Sequence, residues 1–120
     1  GGSAVVNAFC ARRNKIHKVI NVCGRLRKGS GVYPTLEFAS RSRLAFKESV
    51  LLCEKNQKLF SDVDSKRILT IRPLFDETVP ISTTTLYGAT NDQIFSIGHV
   101  FSIALSMTFL SRKLINFLRD

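Results

Sequence analysis

The residues that by type and spacing most suggest a chemical role lie between Gly24 and Ser30, in a glycine-bounded turn with the sequence GRLRKGS. The Gly24-to-Gly29 interval matches the start of a phosphate-binding loop, whose backbone amides and lysine hold the phosphates of a nucleotide. That lysine would stand directly before Ser30, where this chain has a glycine, so nucleotide binding is not favoured. Arg27 and Lys28 beside free turn amides still predict contact with a phosphate oxygen.

Cysteine and histidine are the other residues that could bind a metal or take part in chemistry. Cys10, His17 and Cys23 do not share one helix face, and no close cysteine pair is present to begin a tetrahedral zinc site. We therefore predict no metal and no cofactor. The odd number of cysteines, three, also indicates a reducing compartment, cytoplasmic or nuclear, rather than secretion.

Catalytic groupings are equally weak. His99 with Cys53 or Asp92 has the residue types of a nucleophilic pair, but none of the three lies in a recognisable nucleophile turn. The carboxylate pairs 62/64 and 76/77 fall in polar turns, where solvated acids are the ordinary case. The prediction is a protein that is not an enzyme.

Positive charge is concentrated near the start of the chain. The formal net charge is +9, and residues 1–30 contain no acidic side chain. We predict that the basic residues of this stretch bind an anionic partner; they are Arg12, Arg13, Lys15, Lys18, Arg25, Arg27 and Lys28. An unscreened cationic segment favours the phosphates of nucleic acid, with RNA preferred to DNA, or an anionic lipid surface.

These cations must be positioned by the first predicted element. Apolar residues recur with helical spacing from Ala4 to Lys28, which predicts a basic amphipathic helix ended by Gly29. A strand over residues 18–26 is the alternative, because that stretch is rich in β-branched residues. Residues 4–30 are thus a basic amphipathic segment on an α+β body of residues 31–120, in one domain overall. Gly1 to Ser3 resemble an expression-tag remnant and are left outside.

The body is predicted as a second helix within a mainly antiparallel sheet. The helix covers Ser42–Leu59, strands cover residues 32–39, 67–74 and 79–87, and a short helix covers Ser111–Arg119. The clearest pattern is Phe95 to Phe109, where large residues occupy odd positions and small or polar residues mostly occupy even ones. That period of two predicts a long strand. Phe101→Ser should then cost about 3–5 kcal/mol, whereas Ser102→Thr should be nearly neutral.

The same stretch has a second spacing. Gly98, Ser102 and Ser106 stand four residues apart, as in closely packed membrane helices, so a membrane helix over residues 93–111 stays open as an alternative.

Together these features predict a non-enzymatic, nucleic-acid-binding structural protein that contacts the phosphate backbone and self-associates as a homo-oligomer. A basic arm on a β-rich body is similar in organisation to small viral capsid proteins and nucleoproteins, an analogy that no motif carries. The alternative is a peripheral membrane or matrix-like protein, which would bind anionic lipid through the N-terminal helix.

Overall fold

Three parallel strands form one sheet in a computed structural model that describes residues 1–120. The strands are β1 Val19–Val22, β2 Ile68–Arg72 and β3 Thr90–Gln93, in the order β1-β2-β3. The helices are α1 Gly2–Ala11, α2 Leu36–Ala39, α3 Leu44–Gln57, α4 Asp62–Lys66, α5 His99–Met107 and α6 Ser111–Arg119. A single 3-10 turn covers Ile81–Thr83. The α+β class is confirmed, and the mainly antiparallel sheet is wrong.

The strand direction follows from the connections. Helices α2 to α4 separate β1 from β2 in the sequence and form a crossover connection. This connection lets Val19 pair with Ile68 in parallel. Parallel neighbours need such a crossover, whereas antiparallel neighbours need only a tight turn. β1 reads VINV and β2 reads ILTIR, nearly continuous apolar runs that are typical of strands covered on both faces.

Helices cover both faces of the sheet. On one face, α1 and α3 pack over a core that contains Val6, Phe9, Val19, Cys53 and Ile68. On the other face, the core contains Leu69, Ile71, Ile94 and Leu114, the last of them from α6. The side chains of β2 alternate between these two clusters, as the period of a strand requires.

The basic helix predicted over residues 4–28 is wrong. Helix α1 ends at Ala11, and its C-cap Arg12 leaves helical geometry at φ −132°. The β-branched residues that follow form β1, so the alternative of a strand within residues 18–26 is confirmed. The helix therefore ends before the first cation of the segment. Gly2 and Ser3 form its first turn, and Ser3 is buried, with its Oγ 2.8 Å from that of Ser49.

The long strand predicted over Phe95–Phe109 is also wrong, because most of this segment is helix α5. Helix formation places Ser102 and Ser106 on the buried side, where each hydroxyl donates to a carbonyl four residues back. The hydroxyls are thereby satisfied within the helix, and their small volume lets α5 pack closely. The four-residue spacing, and not the two-residue alternation, was the informative pattern.

Helices α3 and α6 and strand β2 confirm the predicted helix over 42–59, helix over 111–119 and strand over 67–74. The strand predicted over 32–39 is wrong, since Thr35 caps the short helix α2 instead. The strand over 79–87 is wrong as well, because that stretch holds the 3-10 turn. No single helix has the length and apolarity to cross a membrane; α5 and α6 together meet that measure but are bent by 62°.

Candidate nucleic-acid interface

Two of the seven predicted anion-binding cations, Arg25 and Arg27, donate hydrogen bonds to backbone carbonyls of the protein itself. Arg25 is buried, and its guanidinium donates to the carbonyls of Arg27, Lys28 and Pro34. Burial lowers the pKa of Arg25, an effect partly offset by the negative charge of Glu37. Arg27 donates to Ser82 O and, at 2.7 Å, to Thr85 O. These two arginines tie the turn after β1 to its neighbours.

Three further cations have partners on the surface. Arg13 pairs with Asp64 at 2.9 Å, and Lys28 pairs with Glu37 at 3.1 Å. The Lys18 ammonium donates to Phe117 O at 2.9 Å and lies 4.8 Å from the centre of the Phe117 ring.

Arg12 and Lys15 are exposed, and no salt bridge or side-chain hydrogen bond involves them. The predicted set is therefore distributed over a helix end, a strand approach and a turn, and not along one helix face.

A different surface combines exposed aromatic rings with exposed cations. Tyr33 is 73% exposed, and its ring centre lies 5.6 Å from that of Phe38. The guanidinium of Arg41 lies 4.4 Å from the centre of the Phe38 ring. Arg43, two residues further on, is exposed, and the half-buried Lys47 follows in the first turns of α3. We call Tyr33, Phe38, Arg41, Arg43 and Lys47 the aromatic–basic surface.

Local structure positions the short helix that carries Phe38. The Thr35 hydroxyl caps α2 by accepting from Phe38 N at 3.2 Å. Leu36 anchors the helix in the core, and the buried Ser40 hydroxyl donates to Leu36 O at 2.6 Å. An N-cap residue and a buried anchor are what a four-residue helix needs to persist. The α2 backbone that carries Phe38 is therefore anchored, and the half-exposed Phe38 ring lies against the Arg41 guanidinium.

The electrostatics of the surface are positive. Residues 38–47 contain Arg41, Arg43 and Lys47 and no acidic side chain. These three cations and Glu37 line an open depression of about 440 Å³. Glu37 accepts from its own backbone N–H and from Lys28, which together lower its pKa. A guanidinium group can donate hydrogen bonds to a phosphate in this depression, and the exposed Tyr33 ring, which is not part of its lining, can stack on a planar ring.

No family matches. No family model, no curated protein and no solved structure is similar to this chain.

The structure also gives His99 a partner that sequence reasoning missed. Its Nδ1 lies 2.7 Å from Asp76 Oδ2, and that carboxylate also accepts from Thr78 N and Val79 N at 2.8 Å each. The aspartate thus orders the turn after β2 and tethers the start of α5. Of the two residues considered with His99, Cys53 lies on α3 and is buried in the core with residues of α1, and Asp92 pairs with Lys113 at 3.0 Å.

The thiols have the properties of core residues. Burial raises the pKa of Cys53 to about 11. Burial, together with the negative charge of Asp76, raises the pKa of Cys23 to about 12. A thiol with so high a pKa is a poor nucleophile at neutral pH, because the thiolate is the reactive form. No group of three or more His, Cys, Asp and Glu side chains is placed to hold a metal ion.

One sequence signal could have located the aromatic–basic surface. Between Tyr33 and Lys47, aromatic and basic residues are interleaved in the order Tyr33, Phe38, Arg41, Arg43, Phe46, Lys47. Interleaving of this kind is typical of surfaces that bind single-stranded nucleic acid. The signal was hidden because Glu37, Glu48 and Glu54 dilute the net charge of the surrounding residues.

Proposed function

We propose that the protein binds single-stranded nucleic acid on the aromatic–basic surface and acts by binding, not by catalysis. The observation that supports this is the juxtaposition of the exposed Tyr33 ring with Phe38 and the Arg41 guanidinium, beside Arg43 and Lys47. Rings alone would indicate a protein contact, and cations alone would indicate a solvated surface. Their combination suits a chain of alternating bases and phosphates.

Each group has a defined role in the proposed complex. A base stacks on the outer face of Tyr33, and the planar guanidinium of Arg41 offers a second stacking surface. Arg43 and Lys47 contact the phosphates on either side. Stacking does not discriminate strongly among bases, so we expect modest sequence preference and strong salt dependence. RNA is the favoured class, because unpaired bases are abundant in its loops and ends. Self-association stays a prediction.

The experiment measures binding of fluorescein-labelled 12-mers of uridine and thymidine and of a 12-base-pair duplex by anisotropy, across 50–300 mM salt (roughly the range over which phosphate contacts respond). In Tyr33→Leu we expect affinity for the single strand to fall by about 5- to 150-fold, equivalent to about 1–3 kcal/mol for one lost stack. In Arg43→Ser/Lys47→Ser, which removes the two phosphate contacts, we expect the slope of log K against log salt to flatten by about 1.4.

Matched controls keep the result specific. Tyr87 is 96% exposed in the loop before β3, so Tyr87→Leu removes an accessible ring outside the aromatic–basic surface. Lys55 and Lys58 are exposed near the other end of α3, and replacing both by Ser removes the same charge. Equal losses in the control and test variants would contradict the proposal. A flattened slope only in Arg12→Ser/Lys15→Ser would return the interface to the N-terminal segment.

A further inference from the structure

Helix α5 buries small polar residues and exposes apolar ones, which is the reverse of the usual orientation of a helix that packs on a core. Its fully buried residues are Ser102 and Ser106, whereas Val100, Phe101 and Met107 are exposed. Phe101 alone leaves 61% of its surface uncovered. At 100° per residue the exposed apolar residues fall on one side of the helix.

The buried hydroxyls do not need water. Ser106 donates to Ser102 O at 2.8 Å, Ser102 donates to Gly98 O, and the hydroxyls of Ser96 and Ser102 contact each other. Hydrogen bonding on the inner side is therefore satisfied by the protein itself. The outward orientation of the large side chains follows from this packing.

The apolar surface continues beyond the helix at both ends. Phe95 is 92% exposed and Phe109 is 87% exposed, and Ile97 between Phe95 and the helix is exposed as well. We call Phe95, Ile97, Val100, Phe101, Met107 and Phe109 the α5 apolar face. Soluble proteins rarely expose so many neighbouring apolar side chains unless the surface binds something.

The charge distribution identifies the occupant. Residues 93–111 contain no charged side chain, and Arg112 follows at once on the exposed side of α6, beside Lys113, which pairs with Asp92 at 3.0 Å. Two copies of a chain with net charge +9 would bring like charges together around the apolar face. An anionic bilayer instead offers hydrocarbon to the rings and negative headgroups to Arg112.

We propose that the α5 apolar face docks the protein on an anionic lipid bilayer, with the rings in the headgroup–acyl boundary and Arg112 among the headgroups. At about 1.5 Å per residue α5 is roughly 14 Å long, so it enters one leaflet. The inference rests on the α5 apolar face and Arg112, and it does not depend on the aromatic–basic surface.

The chain contains no tryptophan, so a single Trp reports on one position only. Phe101→Trp and the control Tyr87→Trp, which lies outside the α5 apolar face, are mixed with vesicles of phosphatidylcholine, with and without phosphatidylserine, and with brominated lipid as quencher. With anionic vesicles, emission from position 101 should shift to the blue and be quenched, whereas emission from position 87 should be unchanged. Equal quenching at both positions, or none at 101, would overturn the proposal.

Cosedimentation adds a second readout. Phe101→Ser/Phe109→Ser should lower the partition coefficient onto anionic vesicles about tenfold or more, since each ring inserts apolar area. Both residues are exposed, so the fold should persist by circular dichroism. Vesicle binding that survives this double change would overturn the proposal. The proposal would also be overturned if the wild-type protein did not bind vesicles but formed a dimer that the double substitution dissociated. The occupant of the face would then be a second copy of the chain.

Discussion

Ser102→Val and Phe101→Ser should rank in the order opposite to that expected from the alternating sequence pattern. Ser102 is completely buried, whereas Phe101 is 61% exposed. Valine adds volume where the helix packs closely, which costs about 1–3 kcal/mol. It also leaves the buried Ser96 hydroxyl without its contact, which costs roughly 1–3 kcal/mol more. We therefore expect Ser102→Val to lower the free energy of unfolding by about 2–6 kcal/mol.

Phe101→Ser should cost less than about 1 kcal/mol, because most of the ring already contacts solvent. Urea denaturation followed by far-ultraviolet circular dichroism measures both values, and an unchanged m-value confirms that the midpoints can be compared. Ser102→Ala is the control that removes the hydroxyl without adding volume, and it should fall between the other two. If Phe101→Ser proves the more damaging change, the helical placement of this segment is refuted.

Three further outcomes follow from the same structure. Gly24→Ala would put a methyl group 2.2 Å from Asn21 Oδ1. The free energy of unfolding should therefore fall by about 1–3 kcal/mol, which a lower urea midpoint would show. Hydrogen bonds from the Ser61 backbone amide and from Arg13 lower the pKa of Asp64. The ionised carboxylate therefore stabilises the fold above its unfolded pKa, and this contribution is lost as pH falls through the lower folded pKa. The difference in unfolding free energy between wild type and Asp64→Asn should accordingly disappear in acid. Cys23 and Cys53 should react with Ellman's reagent only after unfolding, which a thiol count with and without denaturant checks.

Elements with strong local patterns could be predicted from the sequence. β2 is an apolar, β-branched run, and α6 carries Leu114 and Phe117 at helical spacing toward the sheet. Both depend on periodicity within a few residues, which the sequence displays directly. The direction of the strands could not be predicted in this way, because the pairing of Val19 with Ile68 is a long-range event without a local signature.

The failures at α1 and α5 have local causes. Apolar residues on both sides of residue 12 mimic one continuous helical stripe, although the chain turns there. In α5 the serines bond back to their own helix, so polar residues face the core and the usual rule of orientation is reversed.

The candidate interface was missed for a related reason. A count of charges treats Arg25 and Arg41 alike, although the first is buried among carbonyls and the second lies exposed on a ring. Only the three-dimensional structure separates a cation that holds a turn together from one that can meet a ligand.

Photo-crosslinking tests the central proposal most directly. A 12-mer of uridine that carries 5-iodouridine at one position would be irradiated with the wild-type protein, and the adduct would be located by mass spectrometry. The account predicts adducts on Tyr33 that disappear in Tyr33→Leu and persist in Tyr87→Leu. Adducts confined to residues 12–28, or spread without preference over exposed rings such as Phe95 and Phe109, would contradict it.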